Sequence, residues 1–591
     1  MRVNRLITLI FVYIFLFFIL LARLWYIQVL MEERYKTAAQ ENRIRLVRVK
    51  ALRGMIYDRA GSVLAFNLPS YGISFIPALV KGNYSSIEDF LKELSQELKV
   101  PYEELCKNYK RRFYSNYWSV LVVDNMPLVQ VIDVREWLMS KDFLNLEVDT
   151  RRLYPWGELF SHVIGYTAEI SERELKLYGS RGYRGGDHIG KMGLESVYEE
   201  YLKGIDGYRE VEVDALGKEM SLIKEVPPEN GFNLMLNIDK HLQKVAYDAL
   251  GDNKGCIIVM DPRDGSILAL VSKPSFDPNR FVWGVDSSEW KELIDDPDRP
   301  MFNRAIQAEL PPGSLFKIIV ALSSLSEGVA SPQRRALCTG SLKVGDRDFK
   351  CWKEGGHGVV ELYQAIAQSC NVYFYTLGRE LGAEKIVSYA NRCGLGVETG
   401  IDLLSESKGF IPTPEWKKKR FKEPWYPGDT INLSIGQSYL LVTPIQMLSF
   451  VSAIANGGTL YRPRIARALV DDSGNIIERF SPEPYGELPF SKQVMEHVRK
   501  GMRLAVSEGT AKLLSDGIIK AAGKTGSAQN PRGKEHAWFI GFAPYDDPRV
   551  AIVVLVEEGG TGGVAAVPVA KKVLEFFFGR YVYGSGKGQG S

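Results

Sequence analysis

The stretch PPGSLFK, residues 311–317, is the most informative part of the sequence. Pro-Pro-Gly ends the preceding element, and the apolar residues 315–322 favour a helix that starts here. Ser314 then lies at the helix start with Lys317 one turn later on the same face, so the amine is within reach of the hydroxyl. A lysine whose pKa is lowered by burial can take a serine proton, and a helix start offers N–H groups to an oxyanion. Taken alone, the pattern is better explained by an N-cap serine beside a surface lysine.

Two further short motifs follow in the same half of the chain. Ser369-Cys370-Asn371 lies 55 residues after Ser314, and the stretch KTGSA, residues 524–528, begins a further 155 residues on. The second stretch precedes a strand-like run and is predicted to be an edge strand that lies beside a substrate peptide. A phosphate loop is the rival interpretation, but it requires a glycine at position 518, where the chain has Ile518.

Composition limits the class of protein. The chain has 591 residues, 45% of them hydrophobic and 25% charged, which is typical of globular proteins and predicts three or four structural units. With 74 Lys and Arg against 71 Asp and Glu the net charge is only +3, so a nucleic-acid partner is not expected. Six cysteines are too few for a disulfide scaffold.

The N-terminus carries a long apolar run. Residues 6–22 are uncharged and the apolar character continues to residue 27, which is long enough to cross a bilayer. Arg23, Trp25 and Tyr26 occupy the place where a cleaved signal peptide would have small residues, so an uncleaved transmembrane helix over 6–27 is favoured. Basic residues before the run predict a cytoplasmic N-terminus, residues 1–5, and an extracytoplasmic body. No later segment is predicted to span.

The extracytoplasmic part divides in two. Residues 28–232 are polar and mixed and are interpreted as an elongated pedestal, with one clear helix between Ser86 and Pro101. A turn-rich joint at 227–231 separates it from residues 233–580. There, strand-like runs at 255–260, 266–271, 537–542 and 550–556 enclose a helical middle, which predicts an α+β fold with an antiparallel sheet packed against helices. The Gly-rich tail, residues 581–591, is predicted to be disordered.

The three motifs together resemble a known family. S-x-x-K, S-x-N and K-T-G in this order are found in class A β-lactamases and penicillin-binding proteins; Cys370 replaces the Asp that is usual in the second motif. The chain is most similar to class B penicillin-binding proteins of the elongation type, also at 53–59 (RGMIYDR), 190–195 (GKMGLE) and 260–262 (MDP). The resemblance implies a serine β-lactamase-like transpeptidase domain and no glycosyltransferase domain.

By the same resemblance, the chain cross-links peptidoglycan stem peptides through an acyl-serine intermediate and is inhibited by β-lactams. Ser314 would attack the bond between the last two D-alanines while Lys317 takes its proton. Ser369 would relay a proton to the leaving amine and Asn371 would orient Lys317 or the substrate. Lys524 would supply positive charge for the substrate carboxylate and disfavour protonation of Lys317.

The rest of the third motif is expected to bind substrate. Thr525 would donate a hydrogen bond to the terminal carboxylate, Gly526 would let the strand approach closely, and the backbone N–H groups of Ser314 and Ser527 would form the oxyanion hole. The sequence identifies no acidic residue as a deacylating base, which favours a transpeptidase over a β-lactamase.

A cysteine and histidine cluster falls within 33 residues: Cys338, Cys351, His357 and Cys370. Three thiolates and an imidazole suffice for a tetrahedral structural zinc, although the spacing is looser than in zinc fingers. Buried free thiols and a disulfide are the alternatives from pattern alone. The resemblance favours zinc, because some penicillin-binding protein 2 members carry one beside the active site. It would be structural, and no cofactor is expected for the chemistry.

Other functions and partners follow from the same comparison. A D,D-carboxypeptidase, a β-lactamase, a β-lactam sensor and a non-catalytic scaffold for wall synthesis are the alternatives. The resemblance implies two partners: a membrane-embedded glycan polymerase of the shape, elongation, division and sporulation family (RodA-like), and a rod-complex scaffold (MreC-like) that docks on the pedestal. The expected location is the inner membrane, with a periplasmic catalytic domain.

Overall fold

The computed structural model describes residues 2–33, 43–141, 143–214, 219–516, 519–530 and 533–580. The predicted tail, 581–591, lies outside the described residues. The chain forms two compact units: the first contains 1–53, 67–151 and 203–231, and the second contains 54–66, 152–202 and 232–591. Segments 54–66 and 152–202 belong to the second unit, so the units interleave along the chain. The boundary at 232/233 stays a prediction.

The N-terminal helix Arg2–Trp25 continues through a π-helical turn, Tyr26–Leu30. Within the described residues, Leu6–Leu30 is the one helical stretch long and apolar enough to span a membrane, and none of its most apolar window is buried in protein. Its 25 residues extend about 38 Å, more than the ~30 Å hydrocarbon layer. The helix fits a single-pass anchor and includes the predicted span.

The first unit combines small sheets with helices. Its three-stranded antiparallel sheet has the order Ile44–Val49, Gly207–Val213, Glu219–Val226. The predicted helix is confirmed as Ile87–Leu98: the Ser86 hydroxyl accepts from the Asp89 N–H, and Lys99 ends the helix in a left-handed conformation. Its apolar face packs in the core of this unit. The other elements are strand Val120–Met126 and helices Pro77–Val80, Tyr102–Arg112 and Leu128–Met139. Strands Val63–Phe75 and Leu144–Leu153 lie mostly in this unit and have their ends, 63–66 and 152–153, in the second.

The second unit is built on a five-stranded antiparallel sheet with the order Ile267–Lys273, Gly255–Met260, Val550–Val556, His536–Ala543, Ala522–Ala528. The predicted hairpin and the terminal strands are therefore confirmed. The inner strands are apolar throughout because both faces are covered: Ile257 and Val259 join one core cluster, whereas Cys256 and Ile258 join the other. Helices Lys240–Leu250 and Gly562–Phe578 cover the first face, and Lys317–Ser326 and Pro444–Asn456 belong to the core on the other face.

The remaining elements of the second unit are shorter. The helices are Ser161–Ile164, Glu172–Tyr178, Gly193–Val197, Glu199–Leu202, Asn279–Trp283, Ser287–Asp295, Arg304–Gln307, Leu362–Ala367, Asn371–Leu381, Ala383–Arg392, Pro414–Phe421, Pro427–Leu433 and Lys492–Ser507, with 3-10 turns Gly157–Leu159, Gly179–Arg181, Gly313–Leu315 and Lys512–Asp516. The strands are Ile56–Tyr57, Thr167–Glu169, His188–Gly190, Asn233–Leu236, Ala336–Cys338, Ser341–Val344, Arg347–Lys350, Gly358–Val360, Thr459–Tyr461, Ala466–Val470, Ile476–Arg479 and Pro484–Glu487.

Candidate active site

Ser314 lies in the 3-10 turn Gly313–Leu315, directly before the helix Lys317–Ser326. Gly313 has φ +53°, and a Cβ there would be 2.5 Å from the backbone oxygen of Ser527. Only glycine fits this position, because a side chain would meet both the unfavourable φ and the third-motif strand. The PPG sequence therefore places the serine against the strand that carries the third motif.

Lys317 is completely buried, and its amine makes three hydrogen bonds. It donates to Asn371 Oδ1 at 2.6 Å, to the Ser369 backbone oxygen at 2.9 Å and to Ser369 Oγ at 3.2 Å. Burial lowers the pKa of Lys317 to about 7. Within the described residues no hydrogen bond joins Lys317 to the Ser314 hydroxyl. A neutral amine has one donor fewer and gains a lone pair, which is the form that can take a proton from Ser314.

Ser369 occupies a strained backbone position with φ +54°. The turn is held by the Cys370 N–H, which donates to the Ala365 oxygen at 3.0 Å, and by the Trp352 indole N–H, which donates to the Ser369 oxygen at 3.1 Å. Ser369 Oγ accepts from the amines of Lys317 and Lys524. With both lone pairs engaged, its own proton remains available for donation.

The third motif lies on the edge strand Ala522–Ala528, as predicted. Lys524 is fully buried and donates to Ser369 Oγ at 2.9 Å and to the Thr525 oxygen at 2.8 Å. Burial, and then the charge of Lys317, lower the pKa of Lys524 well below its ordinary value. A Cβ on Gly526 would lie 2.9 Å from Leu315 Cγ, so glycine permits the close approach of strand and helix start.

These residues surround a cavity of about 830 Å³. Five of the predicted catalytic and substrate-binding residues line it, namely Ser314, Ser369, Asn371, Thr525 and Ser527, and so does Cys351, a predicted zinc ligand. Lys317, Lys524 and Gly526 are not among the lining residues. The Lys317 amine bonds to the lining residues Ser369 and Asn371, and the Lys524 amine bonds to Ser369. The volume falls in the range of small-ligand sites, about 300–1,000 Å³, and so suits the end of a peptide.

The sequence argument missed several lining residues, among them Trp352, Gln437, Thr510, Asp348 and Glu535. The Thr510 hydroxyl lies 2.6 Å from the Thr525 hydroxyl, a hydrogen bond in which either can donate. No local pattern in the sequence indicates this pair. The two carboxylates bring acidic groups to the cavity, and within the described residues neither hydrogen-bonds to a motif side chain.

Cys338, Cys351, His357 and Cys370 come together, with all four ligand atoms within 4.8 Å of one another. His357 Nδ1 lies 3.6 Å from Cys338 Sγ and 3.5 Å from Cys351 Sγ. A tetrahedral zinc with Zn–S of about 2.3 Å and Zn–N of about 2.05 Å requires an S···N separation of about 3.6 Å, so the donor set fits this metal. The hydrogen bond between Cys370 and Cys351 lowers the pKa of the Cys351 thiol and raises that of Cys370.

Comparisons with known proteins place this architecture. The family description "Penicillin binding protein transpeptidase domain" matches residues 255–575, and "Penicillin-binding Protein dimerisation domain" matches 48–236. The chain is 35% identical to the peptidoglycan D,D-transpeptidase MrdA of Acinetobacter baumannii, over 95% of this chain and 85% of that protein. It is 34% identical to MrdA of Escherichia coli K12, over 92% and 89%.

Solved structures agree with these relatives. The complex of penicillin-binding protein PBP2 and MreC from Helicobacter pylori matches with a TM-score of 0.80 and 32% identity, over 90% of this chain and 100% of that one. A peptidoglycan synthase complex, described as coordinating polymerization and crosslinking, matches with a TM-score of 0.73 and 29% identity, over 97% and 98%. The chain therefore belongs to the penicillin-binding protein transpeptidase family. Within that family it is a class B protein of the PBP2 type.

Proposed function

We propose that Ser314 is the acylated nucleophile of a peptidoglycan D,D-transpeptidase and that Lys317 is its base. The overall reaction follows from the family and the MrdA relatives: the chain cross-links stem peptides through an acyl-serine intermediate during wall elongation, and β-lactams inhibit it. One observation carries the residue roles: a fully buried lysine with a pKa of about 7 is hydrogen-bonded to both polar residues of the second motif, beside a cavity that Ser314 lines.

Acylation begins with transfer of the Ser314 proton to the neutral Lys317 amine as Oγ attacks the carbonyl between the two terminal D-alanines. Backbone N–H groups of Ser314 and Ser527 stabilise the tetrahedral oxyanion; one such donor is typically worth about 2.7–4 kcal/mol of barrier. Collapse releases D-alanine, whose amine takes the Ser369 proton, and the proton on Lys317 replaces it. The hydrogen bond from Lys317 to Ser369 Oγ provides this route.

Substrate binding uses the third motif. The Thr525 hydroxyl donates to the terminal carboxylate of the stem peptide, and Lys524, whose amine donates to Ser369 Oγ, adds positive charge beside the cavity when it is protonated. Among the described residues, the edge strand Ala522–Ala528 pairs with a strand on one side only, so the backbone groups on its other side can pair with an extended peptide. After D-alanine leaves, an amine of a neighbouring stem attacks the ester carbonyl, forms the cross-link and returns the proton to Ser314.

The experiment for these roles is mass spectrometry of the full-length chain after reaction with benzylpenicillin. We expect one adduct on the Ser314 peptide, absent in Ser314→Ala, and slow hydrolysis of that adduct. No adduct on folded protein would refute the nucleophile assignment. Release of D-alanine from stem peptides without any cross-linked dimer would instead indicate a carboxypeptidase.

A structural zinc at Cys338, Cys351, His357 and Cys370 is the second part of the proposal. Four protein ligands complete a tetrahedral site and leave no position for a catalytic water. Since Cys370 is the N-cap residue of the helix Asn371–Leu381, the metal would fix the strained turn that carries Ser369. Zinc quantification in the purified chain tests this, with about one zinc per chain expected and loss of zinc in Cys338→Ala.

Location and partners are proposed from the relatives. The anchor helix would have its N-terminus in the cytoplasm and the catalytic unit in the periplasm, since Arg2 and Arg5 precede the span. A RodA-like glycan polymerase and an MreC-like scaffold are the proposed partners, in line with the MreC complex and the synthase complex among the matched structures. Cysteine labelling from outside intact spheroplasts tests the orientation, and co-purification tests each partner.

A further inference from the structure

The helix Pro414–Phe421 is anchored to the helix Pro427–Leu433, which contributes Asn432 to the lining of the catalytic cavity. The Thr413 hydroxyl caps it by accepting from the Trp416 N–H at 3.1 Å. Lys417 points inward: it is buried and its amine lies 2.5 Å from Asp429, on the next helix Pro427–Leu433. A buried ion pair of this kind holds two helices in register, so the outward side chains of the first helix have a defined place.

The outward face of this helix carries unpaired positive charge. Lys418, Lys419, Arg420 and the following Lys422 are all exposed, and none of the four forms an ion pair or a side-chain hydrogen bond within the described residues. The chain as a whole is nearly neutral. Four unpaired cations within five residues therefore make a local positive patch, which attracts anions more strongly than the net charge suggests.

Aromatic rings lie beside these cations. The Tyr439 ring centroid is 5.1 Å from Trp416 and 5.3 Å from Phe421, and Trp416 and Phe421 are 5.5 Å apart. Phe421 is 43% exposed and Tyr439 37%. Mutual packing makes the rings a rigid apolar face that still reaches solvent, a combination that binding surfaces use for sugar rings and peptide groups. The aromatic-basic ridge is defined by these residues: Trp416, Lys418, Lys419, Arg420, Phe421 and Tyr439.

The ridge borders the catalytic cavity. Gln437 and Ser438, which line the cavity, directly precede Tyr439 in the chain. Asn432, another lining residue, lies on the helix that Lys417 holds through Asp429. The ridge is therefore placed next to the cavity, where the part of a substrate outside the cavity can contact it. The cavity itself, about 830 Å³, has the size of a small-ligand site and suits a peptide end.

We propose that the aromatic-basic ridge binds the glycan strand and the anionic upper part of the stem peptide whose end occupies the cavity. This inference rests on the proposed function and adds a binding surface outside the catalytic groups. Charge complementarity supports this proposal, because stem peptides bear free carboxylates and the ridge bears unpaired cations. Sugar rings supply the apolar C–H faces that exposed aromatic rings contact. The ridge then holds the strand while the short cavity selects its peptide end.

The test is binding of fluorescent, uncross-linked peptidoglycan strands with pentapeptide stems to the full-length chain in detergent, followed by anisotropy at increasing salt. The Ser314→Ala background prevents turnover. We expect the triple variant Lys418→Gln, Lys419→Gln, Arg420→Gln to bind about tenfold more weakly and with a smaller salt dependence. Tyr439→Ala should also weaken binding severalfold. The matched control Lys492→Gln, Lys500→Gln, Lys572→Gln removes three exposed cations that do not line the cavity, and it should bind like the parent.

Acylation by benzylpenicillin, measured with Ser314 present, reports the fold of each variant and should stay within twofold of the parent. Strand binding that changes less than twofold in both ridge variants would overturn the inference. The inference would also be overturned if a ridge variant kept strand binding but lost binding to vesicles containing phosphatidylglycerol. In that case the ridge would contact the membrane. If the chain with an unchanged ridge bound strands but was not acylated, the ridge proposal would be supported and the assignment of Ser314 as the nucleophile would be refuted.

Discussion

Acylation of Ser314 should depend on pH through Lys317, which must be neutral to act as a base. An ordinary lysine has a pKa of about 10.4, whereas burial lowers that of Lys317 to about 7. The protonated form cannot accept the serine proton, so the rate is lost as pH falls through about 7 and is fully present above about 8. The neutral fraction is about one eleventh at pH 6 and about ten elevenths at pH 8, which predicts a roughly tenfold rise followed by a plateau.

The measurement is the second-order rate constant for acylation by a fluorescent penicillin, from pH 5.5 to 9.5, with the folded state checked at each pH. The Asn371→Ala variant provides a second test. It removes Asn371 Oδ1, the acceptor 2.6 Å from the Lys317 amine, which stabilises the charged form of this amine more than the neutral form. Its profile should shift to lower pH by about one unit, with a lower plateau. A rate that keeps rising above pH 9, or that has no inflection between 6 and 8, would show that Lys317 is not the base.

Two other changes test contacts around the site, and a third tests a buried ion pair elsewhere in the second unit. Gly526→Ala should slow acylation at least tenfold, because the added methyl group would lie 2.9 Å from a backbone oxygen of the helix-start turn; an unchanged acylation rate would contradict the close fit. Thr510→Val should raise the substrate KM severalfold by freeing the Thr525 hydroxyl it holds at 2.6 Å, and Thr510→Ser should restore it. Glu195→Ala should lower the free energy of unfolding by about 3–5 kcal/mol, since it leaves Arg152 buried without the partner at 2.7 Å; chemical denaturation measures this loss.

Local patterns predicted the elements that depend on neighbours in the chain. The helix Ile87–Leu98, the edge strand with the third motif and the apolar strands of the sheet were all visible as periodicity or turn residues. The three motifs were recognisable because glycine, proline and the catalytic residue types occur at fixed short spacings. The cluster of cysteine and histidine residues was also visible, as both residue types are sparse in this chain.

Contacts between distant segments were not predictable in the same way. Thr510 and Thr525 meet only because the end of one helix region approaches an edge strand, and no spacing rule connects them. The sequence suggested that Lys317 reaches Ser314 directly, whereas its three hydrogen bonds go to Ser369 and Asn371. The interleaving of 54–66 and 152–202 with the C-terminal unit likewise has no signature in composition.

The sequence by itself determined the class of this protein: an apolar N-terminal helix, an α+β catalytic unit and the residue types of an acyl-serine enzyme. Tertiary structure decided the chemistry available to those residues. Complete burial lowers the pKa of Lys317, and the Ser369 hydroxyl accepts hydrogen bonds from both Lys317 and Lys524. These three residues are more than 50 positions apart in the chain, so only the folded structure brings them together and removes both amines from water. Residue type is encoded locally, but desolvation depends on everything that packs around a group.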